Sequence, residues 1–414
     1  MKTERRENRF NRRELFKRGA VAGIGIALAP FAAAAEASAP PLGPPEVRRY
    51  VPLGSTGMKI SDISFGSSRL RDGQEDIVRH AFAAGINYFD SANEYGGGES
   101  ETTIGNALKG KRDKVYLTSK LITTLDTRRG EMMIALEASL KRLQTDYVDV
   151  YFNHAVNNVE RLKNPEWHAF VADARKQGKI RHVGMSGHAG HLIECLDYAI
   201  DNNQVDVILA AYNFGQDPRF YQRFLGGFDF VARQPDLPRV LDKAHGKGVG
   251  VVVMKTLMGA RLNDMRPYET AGASFAPAAF RWVLSNPNVN ALIVSMTSTE
   301  IIDEYLGASG WRATAAGDLP LLRRYARING TSYCRHACDA CESSCPNGVP
   351  IADVMRTRMY ANDYGDMRLA RAEYAMLASN AAACLSCTAK PCVGACPHGV
   401  PVARWTAPTH RMLT

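Results

Sequence analysis

Eight short apolar runs succeed one another between about Arg48 and Gly310: ISDISFG, INYFD, VYLTSK, YVDVYFN, IRHVGMS, VDVILAA, VGVVVMK and ALIVS. Each has the length and β-branched content of a buried strand, and most are followed by an amphipathic stretch long enough for a helix. Eight strand–helix units in succession predict an α/β fold, a (β/α)8 barrel, whose functional residues lie at the C-terminal ends of the strands. Pro52 to Lys59, with the turn Gly54-Ser55-Thr56-Gly57, reads as a hairpin able to plug the barrel's bottom. The longest non-repeating insertion, Phe214 to Pro238, follows the sixth strand and is expected to overhang the active face.

The chain has 414 residues, and single cores seldom grow much beyond about 250–300 residues. A second, smaller domain is therefore expected after the barrel. Eight of the nine cysteines lie there, in two runs that each end in Cys-Pro: Cys334, Cys338, Cys341, Cys345 and Cys384, Cys387, Cys392, Cys396. A thiolate every three or four residues lets one loop wrap three corners of an iron–sulfur cube, and the Cys-Pro residue typically ligates the other cluster. Two structural zinc sites or four disulfides are the alternatives. The doubled run and the prolines favour two 4Fe–4S clusters, because zinc usually divides its ligands into two distant pairs. Cys195, alone in LIECLDYAI, reads as a buried structural thiol.

The runs resemble those of bacterial ferredoxins, with one extra residue before Cys338 and two before Cys392. Between them, Pro346 to Ala383 has helical character and little β pattern. This is similar to the helical ferredoxin modules of larger redox enzymes. The resemblance implies that Cys334, Cys338, Cys341 and Cys396 hold one cluster, and that Cys345, Cys384, Cys387 and Cys392 hold the other.

At the opposite end, Asn11-Arg12-Arg13-Glu14-Leu15-Phe16-Lys17 precedes a mildly apolar Gly/Ala-rich segment from Gly19 to Ala35. It resembles a twin-arginine signal, which implies export of an already folded chain through the twin-arginine translocase to the periplasm or beyond. The segment is too short and too weakly apolar for a permanent membrane span. Eight of the Lys/Arg and three of the Asp/Glu lie in these 35 residues, so the formal charge of +9 falls to +4 on their removal. That balance implies no nucleic-acid partner. The expected organisation is a leader at 1–35, a linker at 36–47, the barrel at 48–310, a bridging segment at 311–332 containing a helix from Leu321 to Ser332, and the cysteine domain at 333–414.

Strand ends carry the chemistry. The second strand closes on Phe89-Asp90-Ser91-Ala92-Asn93-Glu94-Tyr95-Gly96, and the next two close on Lys120 and His154. An aspartate, a tyrosine five residues on, then a lysine and a histidine at these places resemble the aldo-keto reductases, from about Tyr50 to Leu306. The resemblance implies carbonyl–alcohol interconversion with NAD or NADP. Reduction needs a hydride at carbon and a proton at oxygen, and a tyrosine with pKa near 10 yields its proton reluctantly. Lys120 is expected to lower the pKa of Tyr95, Asp90 to hold Lys120 charged, and His154 to hydrogen-bond the substrate oxygen.

The nicotinamide site matches less well. The family's Ser-Asn pair after strand five is here Ser186-Gly187, and Leu209 replaces a glutamine on strand six. Lys255 and Leu257 occupy the loop that usually approaches the cofactor. Ser295, Thr297 and Ser298, before the helix starting at Thr299, are placed to receive a phosphate or simply to cap that helix. No basic residue follows to clamp a 2′-phosphate.

The combined expectation is an exported oxidoreductase resembling the iron–sulfur branch of the family, acting on a small carbonyl or alcohol and exchanging electrons with a protein partner. The competing expectation is a barrel of reduced catalytic power serving as an electron-transfer or sensor subunit.

Overall fold

The computed structural model describes residues 45–217, 236–258, 264–270 and 272–414. The expected leader and most of the Phe214 to Pro238 insertion lie outside these residues.

All eight apolar runs are strands: β1 (Ile63–Gly66), β2 (Tyr88–Asp90), β3 (Tyr116–Leu121), β4 (Val148–Asn153), β5 (Ile180–Gly187), β6 (Val207–Ala211), β7 (Gly250–Met254) and β8 (Ala291–Ser295). Each pairs in parallel with the next, and β8 returns to β1 through Leu292 opposite Ile63, closing the barrel. Inward side chains such as Tyr88, Val150, Phe152, Leu209 and Val252 fill the interior. The hairpin strands Tyr50–Pro52 and Lys59–Ser61 pair antiparallel, and Val51, Leu53, Met58 and Ile60 extend the same apolar cluster, so the plug is seated as expected. Gly54 has φ +50°, and a Cβ there would lie 2.4 Å from the carbonyl oxygen of Gly248, so the turn admits only glycine.

The segment after the barrel is part of its outer layer. Its helix spans Asp318–Asn329 and begins three residues before the expected start. Asp318, fully buried, receives two hydrogen bonds from Arg281, at 2.7 and 2.8 Å, and another from the Ala315 amide at 2.7 Å. The polar anchor, invisible to a search for apolar periodicity, sets the start. Tyr325 then stacks on Phe275 at 4.3 Å between ring centroids.

Helices Ile351–Asn362 and Met367–Ala375, separated by the left-handed Gly365, and the terminal helix Val402–Leu413 enclose a second apolar cluster containing Val354, Met355, Met359, Tyr374 and Val402. Five of the run cysteines pack against this cluster and a sixth, Cys341, belongs to it. Polar contacts tie the chain after residue 330 to the barrel. Asn157 donates to Asp353 at 2.8 Å, Asn213 to the Tyr333 hydroxyl at 2.9 Å, and the Ala337 amide to the Ala189 carbonyl at 3.1 Å.

Candidate active site

Asp90 and Lys120 stand on adjacent strands, and their side chains form a buried ion pair at 2.6 Å. Lys120 also donates to the Ser91 carbonyl at 2.6 Å, and Thr118 donates to the second Asp90 oxygen at 2.8 Å. With its hydrogen bonds filled from β2 and β3, the pair is rigid, and both residues are at most 2% exposed. Tyr95 opens a turn whose next three residues, Gly96 to Gly98, are all left-handed, which folds the loop back over the strand ends. Its ring lies over Lys120, with Nζ 5.0 Å from the centroid, and meets His154 edge-on at 5.8 Å. Asp90, Tyr95, Lys120 and His154 are thus brought together.

The electrostatics differ from expectation. Burial first, then the negative charges of Asp90 and Glu94, push the Tyr95 phenol well above its ordinary value instead of lowering it. Lys120 meets the ring rather than the oxygen, and Asp90 takes up its charge. Tyr95 is therefore held as a neutral phenol whose proton is bound more tightly than in a free tyrosine. Sequence reasoning also passed over Glu94, whose carboxylate lies 2.5 Å from His154 Nδ1. Burial pushes Glu94 upward, but His154 and Lys120 outweigh it and hold the carboxyl below its ordinary value. The signal was a second acid immediately before the tyrosine.

Above these residues lies a cavity of about 270 Å³. Asp90, Tyr95, His154 and His188 line it from the barrel, and Tyr360, Tyr364 and Glu373 line it from the cysteine domain. The C-terminal helices therefore roof the barrel mouth. Tyr360 is joined to His188 (hydroxyl to Nε2, 3.1 Å), and Arg71 pairs with Asp366 at 3.4 Å. Burial, followed by the charges of Arg356 and Lys255, drives His188 well below its ordinary value, so it is neutral.

A family model for the aldo/keto reductases matches residues 62–314, the barrel that carries this site. The chain belongs to the aldo/keto reductase family. It is an oxidoreductase. It is 25% identical over 295 residues to L-galactose dehydrogenase of Arabidopsis thaliana, covering 62% of this chain and 86% of that protein. It is 23% identical over 303 residues to L-glyceraldehyde 3-phosphate reductase of Escherichia coli K12, covering 63% and 87% respectively. An aldo-keto reductase structure from Bacillus halodurans, in its holo form, shares the fold with a TM-score of 0.52 at 20% identity, covering 67% of this chain and 95% of that one.

Aldo-keto reductases typically use NAD(P), but two of the three polar holds for a nicotinamide carboxamide are missing here, at Gly187 and Leu209. Ser186 is fully buried, and its hydroxyl receives the Ala155 amide at 3.1 Å, bracing the loop after His154. At Gly187 a Cβ would stand 2.6 Å from Leu192 Cδ1 and 3.0 Å from the Val156 carbonyl oxygen, so an asparagine there would have to displace the Leu192 side chain. Leu209 is core. Ser298 caps the helix Thr299–Leu306 by accepting from the Ile301 amide at 3.3 Å, so of the two readings for this hydroxyl the cap is the one seen. Lys255, Leu257, Ser295 and Thr297 do line the cavity. Ser295 shares a hydrogen bond with Ser68 at 2.8 Å, and Lys255 lies beneath the roof tyrosines. These residues do not fit a carboxamide cradle.

In the cysteine domain no cysteine is in a disulfide, and among the described residues no three His, Cys, Asp or Glu side chains gather tightly enough for a single metal ion. The thiols nevertheless sort into two groups. Burial and then Cys338, Cys341 and Cys396 push Cys334 upward. Burial likewise raises Cys392, and its thiol neighbours are Cys384, Cys345 and Cys387. Each group crosses between the two runs through its Cys-Pro member. A cubane, larger than an ion, takes four thiolates, so the donor chemistry fits one in each group.

Proposed function

We propose that this chain is an exported oxidoreductase that interconverts a carbonyl and an alcohol, with two 4Fe–4S clusters in a helical ferredoxin-like domain at 333–414. The observation that carries the catalytic part is the convergence of Tyr95 and His154 on one cavity, above the buried Asp90–Lys120 pair. When an added donor delivers two electrons and a proton, as hydride, to the carbonyl carbon, Tyr95 gives its proton to the substrate oxygen, and His154, braced by Glu94, hydrogen-bonds that oxygen. Asp90 and Lys120 hold the floor in place and supply a compensated dipole beneath the ring.

The cluster reading is supported by the spacing of the runs and by the two thiol groups, Cys334, Cys338, Cys341, Cys396 and Cys345, Cys384, Cys387, Cys392. When bound, such clusters supply one-electron chemistry. Export is supported by Arg12-Arg13 and the small-residue segment after them, with the leader at 1–35, a linker at 36–47, a periplasmic or other exported destination and the twin-arginine translocase as transient partner. An electron-transfer protein is the partner the clusters call for.

Turnover of an aldehyde and ketone panel, supplied in parallel with NADH, NADPH and reduced methyl viologen, tests the proposal. Tyr95→Phe is expected to lose about 10²-fold or more with every donor that works. Equal rates in the variant would sink the acid role. The second reading, an electron-transfer or sensor barrel, is favoured by the closed position at Gly187 and by the roof over Lys255. It predicts no turnover with any donor.

A further inference from the structure

Lys255 is placed as no other cation of the cavity is. It follows β7, its backbone is left-handed at φ +61°, and its side chain reaches the cavity that Tyr95 and His154 share. For a residue with a Cβ that backbone is strained, so the surrounding fold fixes where the side chain emerges. Nζ lies 4.6 Å from the Tyr360 ring centroid and 4.9 Å from that of Tyr364, and its hydrogen bond to the Tyr360 hydroxyl is long, 3.4 Å. Among the described residues no carboxylate is within ion-pair distance of it.

The acids around the cavity have other partners. Asp90 holds Lys120, Glu373 is ion-paired with Arg356, and Asp366 meets Arg71. Burial raises the Asp363 carboxyl and Arg358 opposes that shift, and among the described residues Asp363 makes no ion pair with Lys255. Arg69 also lines the cavity but is exposed. What remains inside is an ammonium with two aromatic faces, one weak acceptor and spare N–H donors. A desolvated cation without a counter-charge is unfavourable, and an anionic oxygen brought by a ligand relieves it. Desolvation draws Lys255 down to about 8, with the more distant charge of Glu373 opposing the shift and that of Arg356 adding to it, so at neutral pH most of it is still charged.

We infer that Lys255 seats a carboxylate of the substrate, so that the site takes oxo-acids, with the anionic end on the Lys255 ammonium and the carbonyl end at Tyr95 and His154. This rests on the carbonyl role of Tyr95 given above. A nucleotide phosphate offers similar chemistry, but Tyr360 and Tyr364 cover the lysine from above, and the cavity is below the usual range for a drug-sized ligand of about 300–1,000 Å³. A short acid suits that space better than a dinucleotide.

Calorimetric binding to the full mature chain, with its metal content measured on the same sample, tests the inference. The probes are glyoxylate, pyruvate and benzoylformate, each beside its neutral amide, with ADP-ribose as the nucleotide arm. At least one acid is expected to bind about 10- to 100-fold tighter than its amide, the effect of one charge-assisted hydrogen bond. Lys255→Met should abolish that preference and Lys255→Arg should keep part of it. Preference unchanged in Lys255→Met, or no preference in any pair, overturns the inference. So does a loss confined to ADP-ribose, which would assign the anion to a nucleotide. The Tyr95→Phe variant separates the two readings. An acid preference that persists there, with no turnover even in the wild type, would retain the anion seat and sink the catalytic proposal.

Discussion

The ammonium of Lys120 lies 5.0 Å from the centre of the Tyr95 ring and 2.6 Å from Asp90, so the aspartate is its direct ionic partner. Its first task is to make Asp90 tolerable in a dry barrel. Lys120→Met leaves a buried, uncompensated carboxylate and is expected to cost about 3–5 kcal/mol of stability. Adding Asp90→Asn should recover much of that loss. Urea unfolding of the two variants measures both, and a double variant no more stable than the single would contradict the pairing.

His188 links pH to the seam between barrel and roof. Its folded pKa lies well below the ordinary 6.5, so on acidification the unfolded chain takes up a proton there and the folded chain does not. Stability is therefore unaffected well above pH 6.5 and falls below it, with a slope approaching about 1.4 kcal/mol per pH unit from this residue. Melting curves between pH 7.5 and 5 should show a shallower decline in His188→Asn than in the wild type. Parallel declines would mean that His188 titrates normally.

Gly187→Asn restores the residue type that the family places after strand five, in a space already filled by Leu192 and the Val156 carbonyl. Overpacking of this kind costs about 1–3 kcal/mol. The expected result is a lower melting temperature with no gain in affinity for NADH or NADPH. Tighter nucleotide binding would show that the loop yields and that a carboxamide site is within reach.

Each thiol group draws on both cysteine runs, so loss of one ligand should empty one group and spare the other. On the proposed two-cluster reading, Cys396→Ala is expected to halve the iron content, from about eight per chain to about four. Cys392→Ala should do the same at the second group. Complete loss of iron in either variant would show that the groups do not load independently.

Replacing Arg12-Arg13 with Lys-Lys is expected to retain the chain in the cytoplasm with its leader uncleaved. Fractionation and the size of the chain report this directly, and continued export would rule out a strict twin-arginine route.

The barrel was legible in the sequence because its determinants are local. Strand and helix periodicities repeat eight times, the Gly54 turn marks the plug, and Asp90, Tyr95, Lys120 and His154 sit at strand ends that parallel closure must bring to one face. A sorting of the thiols across the two runs is what the resemblance to helical ferredoxin modules implies. Other features depend on residues far apart in the chain, and only the tertiary structure decided them. No spacing reveals that Pro346 to Ala383 folds back as a roof, since Tyr360 meets His188 across 172 positions. The direction of the Tyr95 shift was misjudged because burial and the charges of Asp90 and Glu94 act through space. Lys255 read as part of the loop that approaches a cofactor, and only the fold brings Tyr360 and Tyr364 around it. Periodicity reports which face of an element is buried, whereas desolvation and charge depend on what the rest of the fold brings against that face.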